Sequence, residues 1–290
     1  MEGNIRLLAG IPDDDNREYL PEKLKGSTIV VNENGNNSQV YPRNLRECQA
    51  KLIDDITDTW YEYVPDSYDP NRKTPLVFSM HGGIMTGWAQ CVYTSWSLVA
   101  DREGFIVVYP NAHRRRFWQI ECERRLFPLL SIPNDEGIYM HDFPEDTREN
   151  TDVRLVFKLL EIMQEKYNID PERIYMQGMS LGNSMTAMMA RHYGYRFAAM
   201  AGSAGPSTIG LLFDKDDQPI NAGGPTTVWQ ARMEFDQAPP GSEDTVEDVV
   251  AKNREYWLRV NGCRGLPALK IEGENNFAFY QGDKADFVFR

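Results

Sequence analysis

The sequence predicts an α/β domain with a mostly parallel central sheet and helices on both of its faces. Three observations predict it. Short apolar runs recur along the chain (residues 75–80, 105–110, 173–177, 197–201 and 226–229), each suited to a buried parallel strand. Stretches with apolar residues at helical spacing lie between them. The 290 residues, 41% hydrophobic and 26% charged, suffice for one large core of this kind.

Residues 1–50 are polar and irregular, with Asp13-Asp14-Asp15 and an Asn-rich turn from Asn32 to Asn37, and they read as an N-terminal extension. Thr28 to Val31 within it reads as a short strand. The domain proper is assigned to residues 51–290. Its first strand is Thr59 to Val64, which alternates and is followed by a turn at Pro65 to Pro70. Pro75 to Met80 is a buried strand that runs into His81-Gly82-Gly83. A helix from about Ser95 to Arg102 leads to the next strand, Phe105 to Pro110. Residues 111–150 break this rhythm and read as a long lid-like insertion, since structureless loops of that length are uncommon in compact domains. Trp118 and Arg114 to Arg116 within it suit either recognition of an aromatic or carboxylated acyl group or a solvated surface.

The rhythm then resumes. Val153, Val156, Phe157, Leu160 and Met163 recur at helical spacing behind a cap at Asn150 or Thr151. Arg173 to Gln177 is a strand, and an Ala- and Met-rich helix follows from about Asn183 to His192. Phe197 to Ala201 and Thr226 to Trp229 supply two more strands, and Val246 to Val260 a helix. Leu269 to Glu272, Phe277 to Tyr280 and Phe287 to Phe289 read as closing strands. No internal repeat is present.

Composition narrows the function classes. With 31 basic against 43 acidic residues the net charge is −12, which disfavours nucleic acid, and no basic groove motif is present. No window of roughly 18 uncharged apolar residues exists to span a membrane. Met1 to Ile5 shows no basic segment leading into an apolar run, so a cytoplasmic protein is the default reading, with a secreted protein whose leader was removed as the alternative. Cys48, Cys91, Cys122 and Cys263 are widely spaced and form no C-x-x-C pair, which argues for free thiols over a zinc or redox site. The sequence carries no signal of oligomeric state.

The chemistry-bearing motif is Gly178-Met179-Ser180-Leu181-Gly182, set between a strand and a helix. That context matches a nucleophile elbow, in which a strained turn pushes a serine oxygen out of the sheet and only glycine fits two residues to either side. The helix that starts there aims backbone N–H groups at a developing oxyanion. His81-Gly82-Gly83 ends an earlier strand, and a glycine there lets a backbone N–H approach the same oxygen. Ser180 is therefore the expected nucleophile, with the N–H groups of Gly83 and Leu181 as the oxyanion hole. His81 itself suits a structural hydrogen bond better than the role of base.

An ordered set of segments resembles a known group. Tyr61 to Pro65, Pro75 to Val77, His81-Gly82-Gly83, Tyr109-Pro110-Asn111, Ile169 to Tyr175, Gly178 to Gly182 and Asn261-Gly262-Cys263 are similar to the polyhydroxybutyrate depolymerase and feruloyl/acetylxylan esterase group of α/β hydrolases. The resemblance covers about residues 58–265. It implies the α/β-hydrolase fold and a Ser-His-Asp triad that cleaves carboxylic esters through an acyl-enzyme, without metal or cofactor. The implied substrates are feruloyl or acetyl polysaccharide esters or short polyhydroxyalkanoates. Asn183 stands where the group often has glycine.

In this fold the acid follows the serine and the histidine follows the acid. Two acids lie just beyond the strand at 226–229. Counting from Pro225 favours Glu234; the local pattern Met233-Glu234-Phe235-Asp236, similar to the group's G-E-x-D turn, favours Asp236, which is preferred, with Glu234 the alternate. No histidine occurs after His192, which lies 12 positions past Ser180, about 18 Å along a continuous helix and out of reach. His113 and His141 precede the serine, against the usual order. The resemblance places the histidine in a loop after the last strand, so the chain is read as truncated, with its base beyond Arg290. Two other classes stay open: a serine peptidase of the same fold, and a catalytically degenerate hydrolase that acts as a binding module.

Overall fold

A computed structural model describes residues 5–7, 29–31, 42, 44–83, 85–94, 96–113, 117–121, 123, 144, 146–233, 236–238, 243–273 and 275–290. Near the N-terminus β1 (Ile5–Leu7) and β2 (Ile29–Val31) pair in parallel as a two-stranded sheet. Among the described residues the other strands form one sheet of ten, in the order β10-β11-β12-β9-β8-β7-β5-β6-β4-β3. These are β3 (Leu45–Ile53), β4 (Ile56–Tyr63), β5 (Thr74–Met80), β6 (Ile106–Pro110), β7 (Ile169–Met179), β8 (Ala199–Ser203), β9 (Thr227–Ala231), β10 (Ala268–Glu272), β11 (Asn275–Tyr280) and β12 (Phe287–Phe289).

The middle of the sheet, from β12 through β9, β8, β7 and β5 to β6, is parallel throughout. Antiparallel hairpins extend both edges: β3–β4 beside β6, and β10–β11 beside β12. This is the expected mostly parallel sheet. The β3–β4 hairpin turns at Asp54 and Asp55, whose φ values of 46° and 62° suit a two-residue turn. The sheet thus begins at Leu45, within the span read as an extension. β3 escaped the sequence reading because it is an edge strand in which only Leu45 and Ile53 are buried, so its apolar alternation is faint.

The helices are α1 (Gly87–Thr94), α2 (Trp96–Glu103), α3 (Thr151–Lys166), α4 (Leu181–Tyr193) and α5 (Val246–Asn261). Strand alternation sorts the core into two clusters. Val77, Val107 and Tyr109 pack with Trp88, Cys91 and Val92 of α1 and Ala100 of α2. Leu76, Phe78, Met80, Ile106 and Val108 pack with α3 and α4 through Val156, Leu160, Met163, Met185 and Met189. α3 starts where Asn150 accepts from the amides of Asp152 and Val153, both at 3.0 Å, as expected of its cap. α5 begins with a capping box between Thr245 and Asp248 and ends at Gly262, whose φ of 71° suits glycine.

The long insertion differs from its reading at its start. Trp118 is 1% exposed and part of the core, so it is neither solvated nor a free recognition group. Its Nε1–H donates to the His81 carbonyl at 2.7 Å and its ring lies 4.5 Å from the His81 ring. Arg114 to Arg116, His141 and Cys122 lie outside the described residues. Among the described residues Cys48, Cys91 and Cys263 take part in no disulfide. No helix among the described residues is long and apolar enough to cross a membrane.

Candidate active site

β7 delivers Ser180 to the carboxyl edge of the parallel strands, and α4 begins at the next residue. Ser180 is exposed and has φ 55° and ψ −123°, a conformation that L-residues avoid. Such a residue costs on the order of 1–3 kcal/mol and persists only where its surroundings enforce it. Here they do. The Ser180 amide donates to the Ser203 carbonyl at 2.9 Å, and its carbonyl accepts from the Asn183 and Ser184 amides at 2.9 and 3.1 Å. A Cβ on Gly178 would lie 2.0 Å from the Gly182 carbonyl oxygen, and one on Gly182 would lie 2.2 Å from that of Met80. The two glycines let the turn close on itself and against the end of β5. Asn183 sits against Gly202, where a Cβ would strike its amide, and donates to the Ala204 carbonyl. The position often held by glycine thus holds a buried amide that ties α4 to the loop after β8.

The His81-Gly82-Gly83 loop faces the elbow. A Cβ on Gly83 would come within 2.7 Å of Leu181 Cδ1, so the two residues expected to supply oxyanion N–H groups are in contact. Leu181 stands in the first turn of α4, where backbone N–H groups lack intrahelical acceptors. His81 is fully buried and structural. Its Nδ1 lies 2.6 Å from the Gly82 carbonyl and its Nε2 accepts the Ala112 amide at 3.1 Å, which holds the glycine loop to the chain after β6.

Ser180, Leu181 and Asp236 line one cavity of about 380 Å³. Its apolar wall comes from Ile120, Met188, Leu211, Val246, Val249 and Val250, and its rim from the loop 204–208 and from Gln230 to Arg232. Asp236 is half-buried in a turn, with Oδ2 accepting the Met233 amide at 2.9 Å and its own amide donating to the Met233 carbonyl at 3.2 Å. Glu234 lies outside the described residues. The chain's last residue is nearby: the Arg290 amide donates to the Gln230 carbonyl and the Arg232 amide to the Arg290 carbonyl, both at 2.9 Å.

Sequence reasoning missed three charged groups of this cavity, Glu121, Arg191 and Arg232. Glu121 lines it, paired with Arg191 and with His192 Nε2, the latter at 2.6 Å. Burial pushes the Glu121 carboxyl up, but the His192 hydrogen bond and the Arg191 charge outweigh it and hold the group below its usual range. No motif marks this cluster, because Glu121 comes from the long insertion and its partners from the far end of α4.

No histidine among the described residues lines the cavity. His192 is bound to Glu121. His113 is buried with Nδ1 2.6 Å from Asp58 Oδ1, and its amide donates to Asp152 Oδ1 at 2.7 Å. Asp152 is itself buried, and burial pushes its carboxyl up to about 6 despite amide bonds from Gln119 and His113. No group of side chains among the described residues is arranged to hold a metal ion.

No family model matches the chain. Curated relatives include a bifunctional acetylxylan esterase/xylanase of Neocallimastix patriciarum, 29% identical over 158 residues, covering 54% of this chain and 19% of that protein. A poly(3-hydroxyalkanoate) depolymerase C of Paucimonas lemoignei is 29% identical over 146 residues, covering 50% and 30%. Feruloyl esterase B of Neurospora crassa is 28% identical over 148 residues, covering 50% and 43%. The matched stretch thus spans less than half the length of these relatives. Among solved structures, an acetyl xylan esterase from Aspergillus awamori superposes with a TM-score of 0.56 at 16% identity, covering 84% of this chain and 91% of that one.

Proposed function

We propose that this chain, an α/β-hydrolase-fold relative of the acetylxylan esterases, feruloyl esterases and polyhydroxyalkanoate depolymerases, hydrolyses carboxylic esters with Ser180 as nucleophile. The observation that carries it is the exposed Ser180 in an enforced strained turn, opening on an apolar-walled cavity between strand and helix. Ser180 Oγ attacks the ester carbonyl carbon while its proton passes to a base, and a tetrahedral oxyanion forms. The N–H groups of Gly83 and Leu181 stabilise that oxygen, the alcohol leaves with a proton, and water then cleaves the acyl-serine ester to release the acid and restore Ser180. Asp236, which shares the cavity, is the acid that would orient the base. The imidazole for that role is none of His81, His113 or His192, each of which is engaged elsewhere. The apolar wall suits an acyl group such as feruloyl, acetyl or a short hydroxyalkanoyl chain.

Nitrophenyl acetate turnover by the wild-type chain and by Ser180→Ala, at matched concentration, tests this. The variant is expected to fall to the buffer rate. Equal rates in the two proteins, both above the buffer rate, would take Ser180 out of the chemistry. Parallel peptide anilides separate an esterase from a peptidase of the same fold. The absence of a cavity histidine among the described residues favours one second reading, a degenerate hydrolase that binds esters. A wild-type chain that binds nitrophenyl acetate without turning it over, even when imidazole is added, would support that reading.

A further inference from the structure

The outer edge of the sheet beyond β12 is built differently from the rest. Among the described residues β10 has β11 on one side and no strand on the other. All of its residues are exposed, Leu269 at 77% and Ile271 at 73%. Open edge strands are templates for pairing, and proteins blunt them with proline, bulges or repeated lysines. β10 has no proline, its register with β11 is unbroken, and Lys270 is its one basic residue.

The hairpin geometry determines which backbone groups are open. Glu272 and Asn275 close it across a two-residue turn, and the pair that closes such a turn exchanges hydrogen bonds. Glu272, Lys270 and Ala268 therefore direct their amides and carbonyls at β11, while those of Leu269 and Ile271 face outward. Two copies meeting antiparallel along this edge must set outward residues opposite outward residues. With Ile271 on the axis, Ile271 opposes its counterpart and Lys270 opposes Glu272 of the other copy, twice over. Moving the register by one pair sets Lys270 against Lys270, which like charges disfavour. Lys270 and Glu272 already lie side by side on one face of the strand, where they form an ion pair, and Leu269 and Ile271 share the other.

We propose that β10 is a homodimer edge through which two copies of this chain join antiparallel about Ile271 and continue the sheet. The symmetric pairing is isologous, so it closes at two copies and uses up the β10 edge of each, while β3 stays the outer strand at the far side of each sheet. It brings Leu269 and Ile271 of both copies together on one face and two reciprocal Lys270–Glu272 pairs on the other. The proposal is independent of the esterase reading, since it uses no residue of the cavity.

Light scattering on the eluting full chain is expected to give twice the 33.3 kDa of one copy. Ile271→Lys places like charges on the axis and is expected to give a monomer with an unchanged circular dichroism spectrum. Lys270→Glu is expected to raise the dimer Kd on the order of tenfold, and Lys270→Glu with Glu272→Lys to restore it, because the reciprocal pairs are then rebuilt with the signs exchanged. A wild-type chain that stays monomeric across the micromolar range overturns the proposal. So does a dimer that survives Ile271→Lys, or one whose Kd ignores the charge at residue 270.

Discussion

Gly182→Ala is the sharpest probe of how the elbow is held. The added Cβ would lie 2.2 Å from the Met80 carbonyl oxygen and 2.6 Å from that of His81. Ordinary contact needs about 3.5 Å, so roughly 1.3 Å must be found between α4 and the end of β5. Both obstacles are backbone, which has no rotamer to escape into. Overpacking of this kind costs about 1–3 kcal/mol, and a backbone clash belongs at the upper end. For a protein of this size that corresponds to a fall in Tm of roughly 5 °C. The displaced parts are the first turn of α4, with Leu181, and the strand end that carries Gly83. A misplacement of about 1 Å between reacting groups costs on the order of 100-fold in rate. Gly224→Ala is the control: its Cβ meets nothing within 4 Å, although its φ of 77° imposes strain. That variant should lose about 1 kcal/mol and leave ester turnover alone. Thermal melts and nitrophenyl acetate rates on both variants check the argument. A Gly182→Ala protein that melts with wild type and keeps its turnover would refute the claim that glycine is required there.

Two further outcomes follow from the site and its surroundings. Asp236→Asn should change Tm by only about 1 °C, since its hydrogen-bonding turn is half-exposed, yet lower ester turnover by at least about 100-fold if it orients the base. A larger loss in Glu234→Gln would transfer the role of acid to Glu234. Asp152 predicts a pH dependence. Its carboxyl is raised by burial from the usual carboxylate range to about 6, so the folded state binds a proton that the unfolded state releases. The sign is therefore the reverse of an ion-paired carboxylate: its contribution to stability is full below about pH 4 and is lost as pH rises through about 6. Urea melts of wild type and Asp152→Asn between those values check it, and a wild-type slope over this range that Asp152→Asn leaves unchanged would remove Asp152 as the source.

Much of this molecule is written locally. Five parallel strands, the cap of α3, and the elbow between β7 and α4 follow from apolar period, from Asn150 and from two glycines flanking Ser180. Each of these is a property of a few neighbouring residues, because strand burial, helix capping and turn strain act over one or two turns of chain. The curated relatives agree with the group that the same motifs resemble. What depends on distant segments was illegible. β3 hides at an edge where exposure erases its pattern. Trp118 looks like a loop residue until His81 meets it from another strand. Glu121 meets its partners Arg191 and His192 only in the fold, some 70 residues along the chain. The sequence alone thus determined the parallel strands of the sheet, the turn that exposes Ser180 and the glycine loop beside it. Only the tertiary structure decided that Ser180 and Asp236 share one cavity and that the three described histidines are engaged elsewhere, because which side chains converge is settled by how the strand ends are stacked.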